Sequence, residues 1–435
     1  MKILVLANLY PPHHAGTYDL RCQSVTESLR LRGHSTLIAT SNHGLNTEQR
    51  DEEVHRRLLL NGAFGHPLVT GFRELQTIEE HNNGVLREAI SEFQPDLVHV
   101  WSLRGLSKSL IFSLRNSRLP TVYDIADRWL ADDLHQDPWL RWWNAPGTNL
   151  VRSSLELAGR RNRLDEIAPT RMMRGLDRIP DVYGPPAAVA NVQPNSVSAF
   201  RFDRLYFCSR ALKQTTEESG FCVSHGEIIY PGVPVQHFVG EVRPTSAPVK
   251  RLLIVGRLDE HSGVMAAARA LLHARQNKAQ VTLSVYGRGE SDYVSQLRSF
   301  VVQNSLPVEF LTVSNQNRDL AAIYRQHDAL IYPVEWEEPF ATVPLEAMAC
   351  GLPVIGAAIG GARELLRHGE NALTFTPGDA QELAARIQEL QAQPALRCQM
   401  AETAQAEVLA RYNETTVVDQ IENYLNTSIE VWQHT

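Results

Sequence analysis

Two glutamates, Glu338 and Glu346, stand eight positions apart in the stretch EWEEPFATVPLEAMACGLPVIG, residues 335–356. An ionised carboxylate is an acceptor-only group, so such a pair suits two separate sets of hydroxyl donors. Between them lie Pro339, Phe340, Ala341, Thr342, Val343 and Pro344, which read as a loop opening a helix. Thr342 suits an N-cap, Pro344 is tolerated in a first turn, and Gly351 can close the helix. The first-turn N–H groups around Thr342 and Val343 then form an anion site with the helix dipole behind them. Hydroxyls, then phosphate, then more hydroxyls describe a nucleotide sugar. The plainer reading of a lone pair of glutamates is that Glu346 supports the helix and Glu338 is solvated.

A loop of this kind needs a strand before it, and DALIYP (328–333) supplies one. The chain repeats that signal. KILVLA (2–7), STLIAT (35–40), DLVHVW (96–101) and PTVYDI (120–125) read as buried strands, with helical patterns at Tyr18–Arg32 and Leu75–Phe93. After VPVQHFVGEVRPTSAPVK (233–250) the pattern restarts with RLLIVG (251–256), VTLSVY (281–286), VEFLTV (308–313) and LPVIGA (352–357). Strands alternating with helices predict parallel sheets covered on both faces. The expected architecture is α/β, with two doubly wound, Rossmann-like domains, 1–235 and 236–410, and a cleft at the C-terminal ends of their strands. Residues 411–435 form a final helix expected to return to the first domain. Residues 131–202 fit neither pattern and read as an insertion, helical in part at 149–179. Its Trp139, Trp142, Trp143 and many arginines make it either an idiosyncratic surface cover or a candidate for acceptor or membrane-surface contact.

Composition narrows the partners. At 435 residues, with 43% hydrophobic and 21% charged residues, the chain is of soluble multidomain type. A net charge of −7 argues against nucleic-acid binding, which needs a basic surface. Cys22, Cys208, Cys222, Cys350 and Cys398 show no paired spacing and read as reduced thiols of a cytoplasmic protein. No apolar run approaches the roughly 20 residues of a membrane span. The sixteen histidines show no metal-ligand spacing, HisHis at 13–14 being the nearest approach. Gly287 and Gly289 in YGRGE follow a strand, but no acidic residue stands where a dinucleotide site needs it.

The block EEPFATVPLEAMACGLPVIGAAIGGARELLRHGENALTFTPGD resembles the signature of family 4 glycosyltransferases, which are retaining enzymes of the GT-B fold. LYPPHHAGTYDLRCQSVTESLRLRGHS resembles that family's N-terminal glycine loop, helix and turn. IIYPGVPVQHF resembles its hinge, and GRLDEHSGV its G-R-L-x-x-x-K-G-V motif. The resemblance implies a hexosyltransferase using a nucleoside-diphosphate sugar, most readily a UDP-sugar, and an acceptor hydroxyl that it does not identify. It further implies that Glu346 holds the ribose hydroxyls and Glu338 the donor sugar. Backbone groups of Pro339, Phe340, Ala341, Thr342 and Val343 would meet the sugar and diphosphate.

Departure of the nucleoside diphosphate needs preorganised positive charge. No D-x-D pair is present to hold a metal, so Arg257 and backbone amides are expected to supply it without a cofactor. Gly256, Ser262, Gly287 and Arg288 complete the expected donor side, Ser262 standing where the family has lysine. Ala341 stands in a glycine place, and Ala126 in the place of a histidine. Ala15 and Gly16 would let a ligand approach the first-domain backbone, or simply make a turn. Asp124 or Asp127 is expected to orient or deprotonate the acceptor, the alternative being a cap or ion-pair partner. Two rival functions share these residues: a sugar-nucleotide epimerase of the same fold, and a non-catalytic nucleotide-sugar binder.

Overall fold

The computed structural model describes residues 1–133, 137, 202–277, 279–311 and 320–434. The chain divides into two compact units, Met1–Ile229 with Val418–Thr435, and Tyr230–Val417.

In the first unit β1 (Lys2–Leu6), β2 (Ser35–Ser41), β4 (Val54–Leu58), β5 (Leu97–Val100), β6 (Thr121–Ile125), β7 (Arg204–Phe207) and β8 (Glu227–Ile228) run parallel. The two-residue β3 (Gln49–Arg50) pairs antiparallel at the edge, giving the order β3-β4-β2-β1-β5-β6-β7-β8. Ile3, Leu4, Val5 and Leu6 are all fully buried, as a strand covered on both faces requires. The helix Thr17–Leu31 presents Cys22, Val25, Thr26 and Leu29 to the interior, a helical spacing of three and four. Strand order reverses between β1 and β5. The loops after those two strands therefore flank a topological switch point, where open sheets of this type take their ligands.

The second unit repeats the plan. β9 (Arg251–Val255), β10 (Thr282–Tyr286), β11 (Val308–Leu311), β12 (Ala329–Tyr332), β13 (Val354–Ala357) and β14 (Leu373–Phe375) form one parallel sheet of order β11-β10-β9-β12-β13-β14. Leu252, Ile254, Leu271, Leu283, Ile331 and Ile355 belong to its continuous apolar core. Here the order reverses between β9 and β12. The loop carrying Arg257 follows β9 and the loop carrying Glu338 follows β12, so the two sit on either side of the switch point.

The helix Glu414–Gln433 begins in the second unit and its residues from Val418 onward belong to the first. There the Tyr424 hydroxyl donates to the Leu205 carbonyl at 2.8 Å, and Arg32 pairs with Glu422 at 2.6 Å. The expected insertion at 131–202, with its helical part and its candidate membrane contact, lies almost wholly outside the described residues. Among the described residues no helix is long and apolar enough to cross a membrane.

Candidate functional site

Loop backbone meeting loop backbone holds the site of the second unit in place. A side chain on Gly263 would overlap the Pro333 carbonyl, so the turn after β9 is pressed against the end of β12. Glu335 N–H donates to the His261 carbonyl at 3.0 Å and fastens the glutamate loop to the same turn. From the other side, Gly361 N–H donates to the Glu338 carbonyl at 2.9 Å. A methyl on Gly360 would stand 2.7 Å from that carbonyl, and one on Gly361 would overlap the Pro339 carbonyl. Gly360 also sits at φ +55°, which disfavours any side chain. The paired glycines thus fix the backbone that carries Glu338.

One concave pocket is lined by Gly256, Arg257, Asp259, Ser262, Trp336, Glu338 and Val343, with Tyr332 in its wall. Tyr332 Oη donates to Glu338 Oε2. Burial raises the Glu338 carboxyl above its ordinary value, while the Tyr332 hydroxyl and the Arg257 charge oppose the rise. Arg257 is 75% exposed and pairs with Asp259 at 2.9 Å, so the cation stands open at the pocket with a carboxylate holding it. The Ser262 hydroxyl donates to the Asp259 carbonyl at 2.6 Å and closes the turn. It shapes the turn and, as a neutral hydroxyl, brings no charge to the pocket.

Glu346 stands one helical turn into Thr342–Ala349 and is partly exposed. The fully buried Tyr324 donates its hydroxyl to Glu346 Oε2 at 2.7 Å. Burial pushes this carboxyl up to about 7, with the Tyr324 hydrogen bond acting against the shift. The expected cap is displaced by one residue. Ala341, at φ −94° and ψ 88°, holds the N-cap position and Thr342 is the first helical residue. No side chain caps this N-terminus, so none occupies the place where an anion would meet its dipole.

At several of the expected contacts the side chain is taken up in packing. Phe340 is buried against Tyr230 and Tyr412, with ring centroids 5.4 and 6.1 Å away, which leaves its backbone as the only part that could face a ligand. Ala341 is fully buried, so its extra methyl packs inside the protein. A side chain on Gly287 would overlap the Gly256 carbonyl, and one on Gly289 the Leu258 carbonyl. The Y-G-R-G-E glycines therefore serve loop-to-loop packing, supported by the bond from Leu258 N–H to the Arg288 carbonyl at 2.9 Å. Gly287, Arg288, Pro339, Phe340, Ala341, Thr342 and Glu346 do not line the pocket that Arg257 and Glu338 share.

In the first unit the two aspartates separate. Asp124 ends β6 fully buried, paired with Arg21 at 3.0 Å and bonded by the Tyr18 hydroxyl through its carbonyl at 2.8 Å. Burial raises its carboxyl and Arg21 opposes the rise. The expectation that Asp124 meets an acceptor is corrected, because the side chain has no open face. Asp127 is partly exposed. It accepts from Trp129 N–H at 3.0 Å and faces Arg104 at 3.4 Å, so it both caps a turn and remains reachable. The Ala15 and Gly16 amides, expected to meet a ligand, donate instead to Asp19 Oδ2 at 2.8 and 3.2 Å. Nothing lies within 4 Å of a methyl placed on Gly16, so the space above it is open.

Residues 243–407 match the family model described as Glycosyl transferases group 1. The glycogen synthase of Mycobacterium tuberculosis is 30% identical over 219 residues, which are 49% of this chain and 52% of that protein. The D-inositol 3-phosphate glycosyltransferase of Pseudarthrobacter chlorophenolicus is 27% identical over 213 residues, 45% and 50% of the two chains. The chain thus spans about half the length of the curated relatives it matches. Among solved structures, Anabaena HepE in complex with UDP and glucose superposes with a TM-score of 0.64 at 22% identity. It covers 98% of this chain and 100% of its own. That likeness establishes the GT-B fold.

Proposed function

We infer, from a chain whose second unit carries a group 1 glycosyl transferase domain in a GT-B fold, that the protein moves a hexose from a nucleoside-diphosphate sugar to a hydroxyl. The observation that carries the reading is the arrangement at the C-terminal edge of the second sheet. A buried-leaning carboxylate, an open guanidinium and an uncapped helix N-terminus stand around one switch point, with a second carboxylate one turn further on. Glu346 accepts from the ribose hydroxyls and Glu338 from the sugar hydroxyls. The diphosphate lies at the helix N-terminus within reach of Arg257. HepE, the structural neighbour, was solved with UDP and glucose, which supports a UDP-sugar as the donor class.

In the transfer, the bond from the anomeric carbon to the terminal phosphate oxygen breaks as the acceptor oxygen bonds to that carbon. The acceptor proton leaves to a base or to the departing phosphate. Arg257 and the first-turn amides hold the charge that grows on the diphosphate, so the step uses no metal ion. A double displacement would need a carboxylate on the far face of the sugar. Glu338 is instead braced by Tyr332 as a hydrogen-bond acceptor, and departure and attack on one face retain the anomeric configuration. Asp127 is the partly exposed carboxylate that orients the acceptor.

The test is release of nucleoside diphosphate from UDP-, GDP- and ADP-glucose with EDTA present, followed with and without simple sugar acceptors. Release from one donor, unaffected by EDTA and abolished by Glu338→Gln, supports the reading. Full interconversion of the donor sugar with no release would make the chain an epimerase. Intact donor under every condition would make it a binder.

A further inference from the structure

Three histidines that the donor chemistry does not use come together in the first unit. They arrive on three different loops, His13 after β1, His43 after β2 and His66 after β4, all at the C-terminal edge of the parallel sheet. His43 Nδ1 and His66 Nε2 share a hydrogen bond at 3.1 Å, their ring centroids 5.3 Å apart. The His13 ring lies against Gly44, which follows His43, so closely that a side chain at 44 would overlap it. All three rings are partly exposed. Buried Arg56 fixes the first of these loops by donating from Nη1 to the Tyr10 carbonyl at 2.8 Å and from Nη2 to the Pro11 carbonyl.

The balance of charge around this cluster is one-sided. The groups facing His43 are His66, His13 and Asp19, and burial together with the two imidazoles disfavours a proton on it. Asp19 is the single acid among them. Its Oδ2 already accepts from the Ala15 and Gly16 amides, and its carboxyl is itself raised by burial. His14 extends the positive-capable edge and is exposed. The helix Thr17–Leu31 ends its N-terminus at the same loop, adding its dipole, and the space above Gly16 is open. The ring nitrogens do not converge as a metal-ligand set among the described residues. An anion is the ligand that converts mutual repulsion among imidazoles into charge-assisted hydrogen bonds.

We propose that His13, His43 and His66 form a site for a phosphate group on the acceptor, so that the hydroxyl acceptor is a phosphorylated sugar. The proposal rests on the sugar-transfer reading and supplies the acceptor class that reading lacks. Binding draws protons onto the cluster, so affinity rises as pH falls. One proton taken up allows up to tenfold per pH unit.

The test is calorimetric titration of glucose 6-phosphate, and separately of inorganic phosphate, into the full chain saturated with UDP and in EDTA. UDP occupies the donor's diphosphate position, so a second anion must bind elsewhere. The expected result is binding at least tenfold tighter at pH 6 than at pH 8, with proton uptake, lost in His43→Gln/His66→Gln while UDP affinity stays unchanged. Tighter binding of the sugar phosphate than of inorganic phosphate identifies the esterified form as ligand. In the wild-type chain, phosphate is expected to move the NMR titration of the His43 ring upward, which does not depend on any variant folding. Equal affinity at both pH values, phosphate binding that UDP abolishes, or an unmoved His43 titration would overturn the proposal. Loss of UDP binding itself would instead contradict the donor-site reading.

Discussion

Replacing Glu346 with glutamine should make the protein more stable and a poorer nucleotide binder at the same time. Burial holds the carboxyl at about 7 against its ordinary 4.5. A carboxyl raised on folding takes up a proton between those two values, so stability falls as pH rises through that window and the loss is complete above it. At 1.36 kcal/mol per pH unit the cost of the ionised group above pH 7 is about 3 kcal/mol. Glutamine keeps the shape, and its amide oxygen still accepts from Tyr324, so the variant avoids both the charge and an orphaned hydroxyl. At about 2–4 °C per kcal/mol for a unit of this size, Tm should rise by roughly 6–12 °C at pH 8. At pH 5 it should barely move. Hydrogen bonds to a charged acceptor are worth about 1.5–3 kcal/mol, against about 1 for neutral ones. Nucleotide affinity should therefore drop roughly 2- to 30-fold at pH 8, a factor of ten being 1.4 kcal/mol. Thermal unfolding at the two pH values and titration with UDP read both effects. A variant no more stable at pH 8 than the wild type, or one binding UDP equally well, would refute the assignment of Glu346 as a partly buried carboxylate that serves the ligand.

Other substitutions separate positioning from framework. Gly361→Ala drives a methyl into the Pro339 carbonyl and should cut turnover at least about 100-fold through displacement of Glu338, a 1 Å misplacement being enough for that loss; near-normal turnover would show that the glycine pair does not hold the loop. Asp124→Asn removes the charge of a fully buried carboxylate from its pair with Arg21 and should cost about 3–5 kcal/mol of stability, measured by denaturant unfolding. Asp127→Asn, on a partly exposed carboxylate, should lower turnover with a stability loss of no more than about 2 kcal/mol, the value of a cap. Arg257→Ala should weaken UDP about 10- to 100-fold, because charge-assisted contacts to phosphate are worth about 1.5–3 kcal/mol. It should also raise the Glu338 carboxyl further, since Arg257 now opposes that rise.

The fold was legible wherever strands were long and apolar. The nine sequence-read strands all appear, as do the helices Thr17–Leu31 and Phe72–Phe93. The missed strands are short or polar. β4 reads VHRRL, and its Arg56 is buried because two loop carbonyls receive its guanidinium, a tertiary fact that no local pattern announces. Glu338, Arg257 and Glu346 stood out by motif and spacing. Their supports did not, because Tyr332, Tyr324 and Asp259 read as ordinary strand, helix and turn residues until the chain folds. Trp336 lay inside the same stretch as the glutamates and went unremarked. Asp124 misled because a strand-end aspartate looks the same whether it faces solvent or a buried arginine. The Gly360–Gly361 pair carried a usable signal, since adjacent glycines just after a buried strand mark close backbone approach.

The most direct test is calorimetric titration of UDP, GDP, ADP and dTDP into the full chain with EDTA present, for the wild type and for Glu346→Ala. Tight binding of one nucleotide, with UDP the expected one, weakened at least about tenfold in the variant, is the result the donor site requires. Equal binding by the variant, or no binding of any nucleotide, would contradict the placement of the donor at the loop between Glu338 and Glu346.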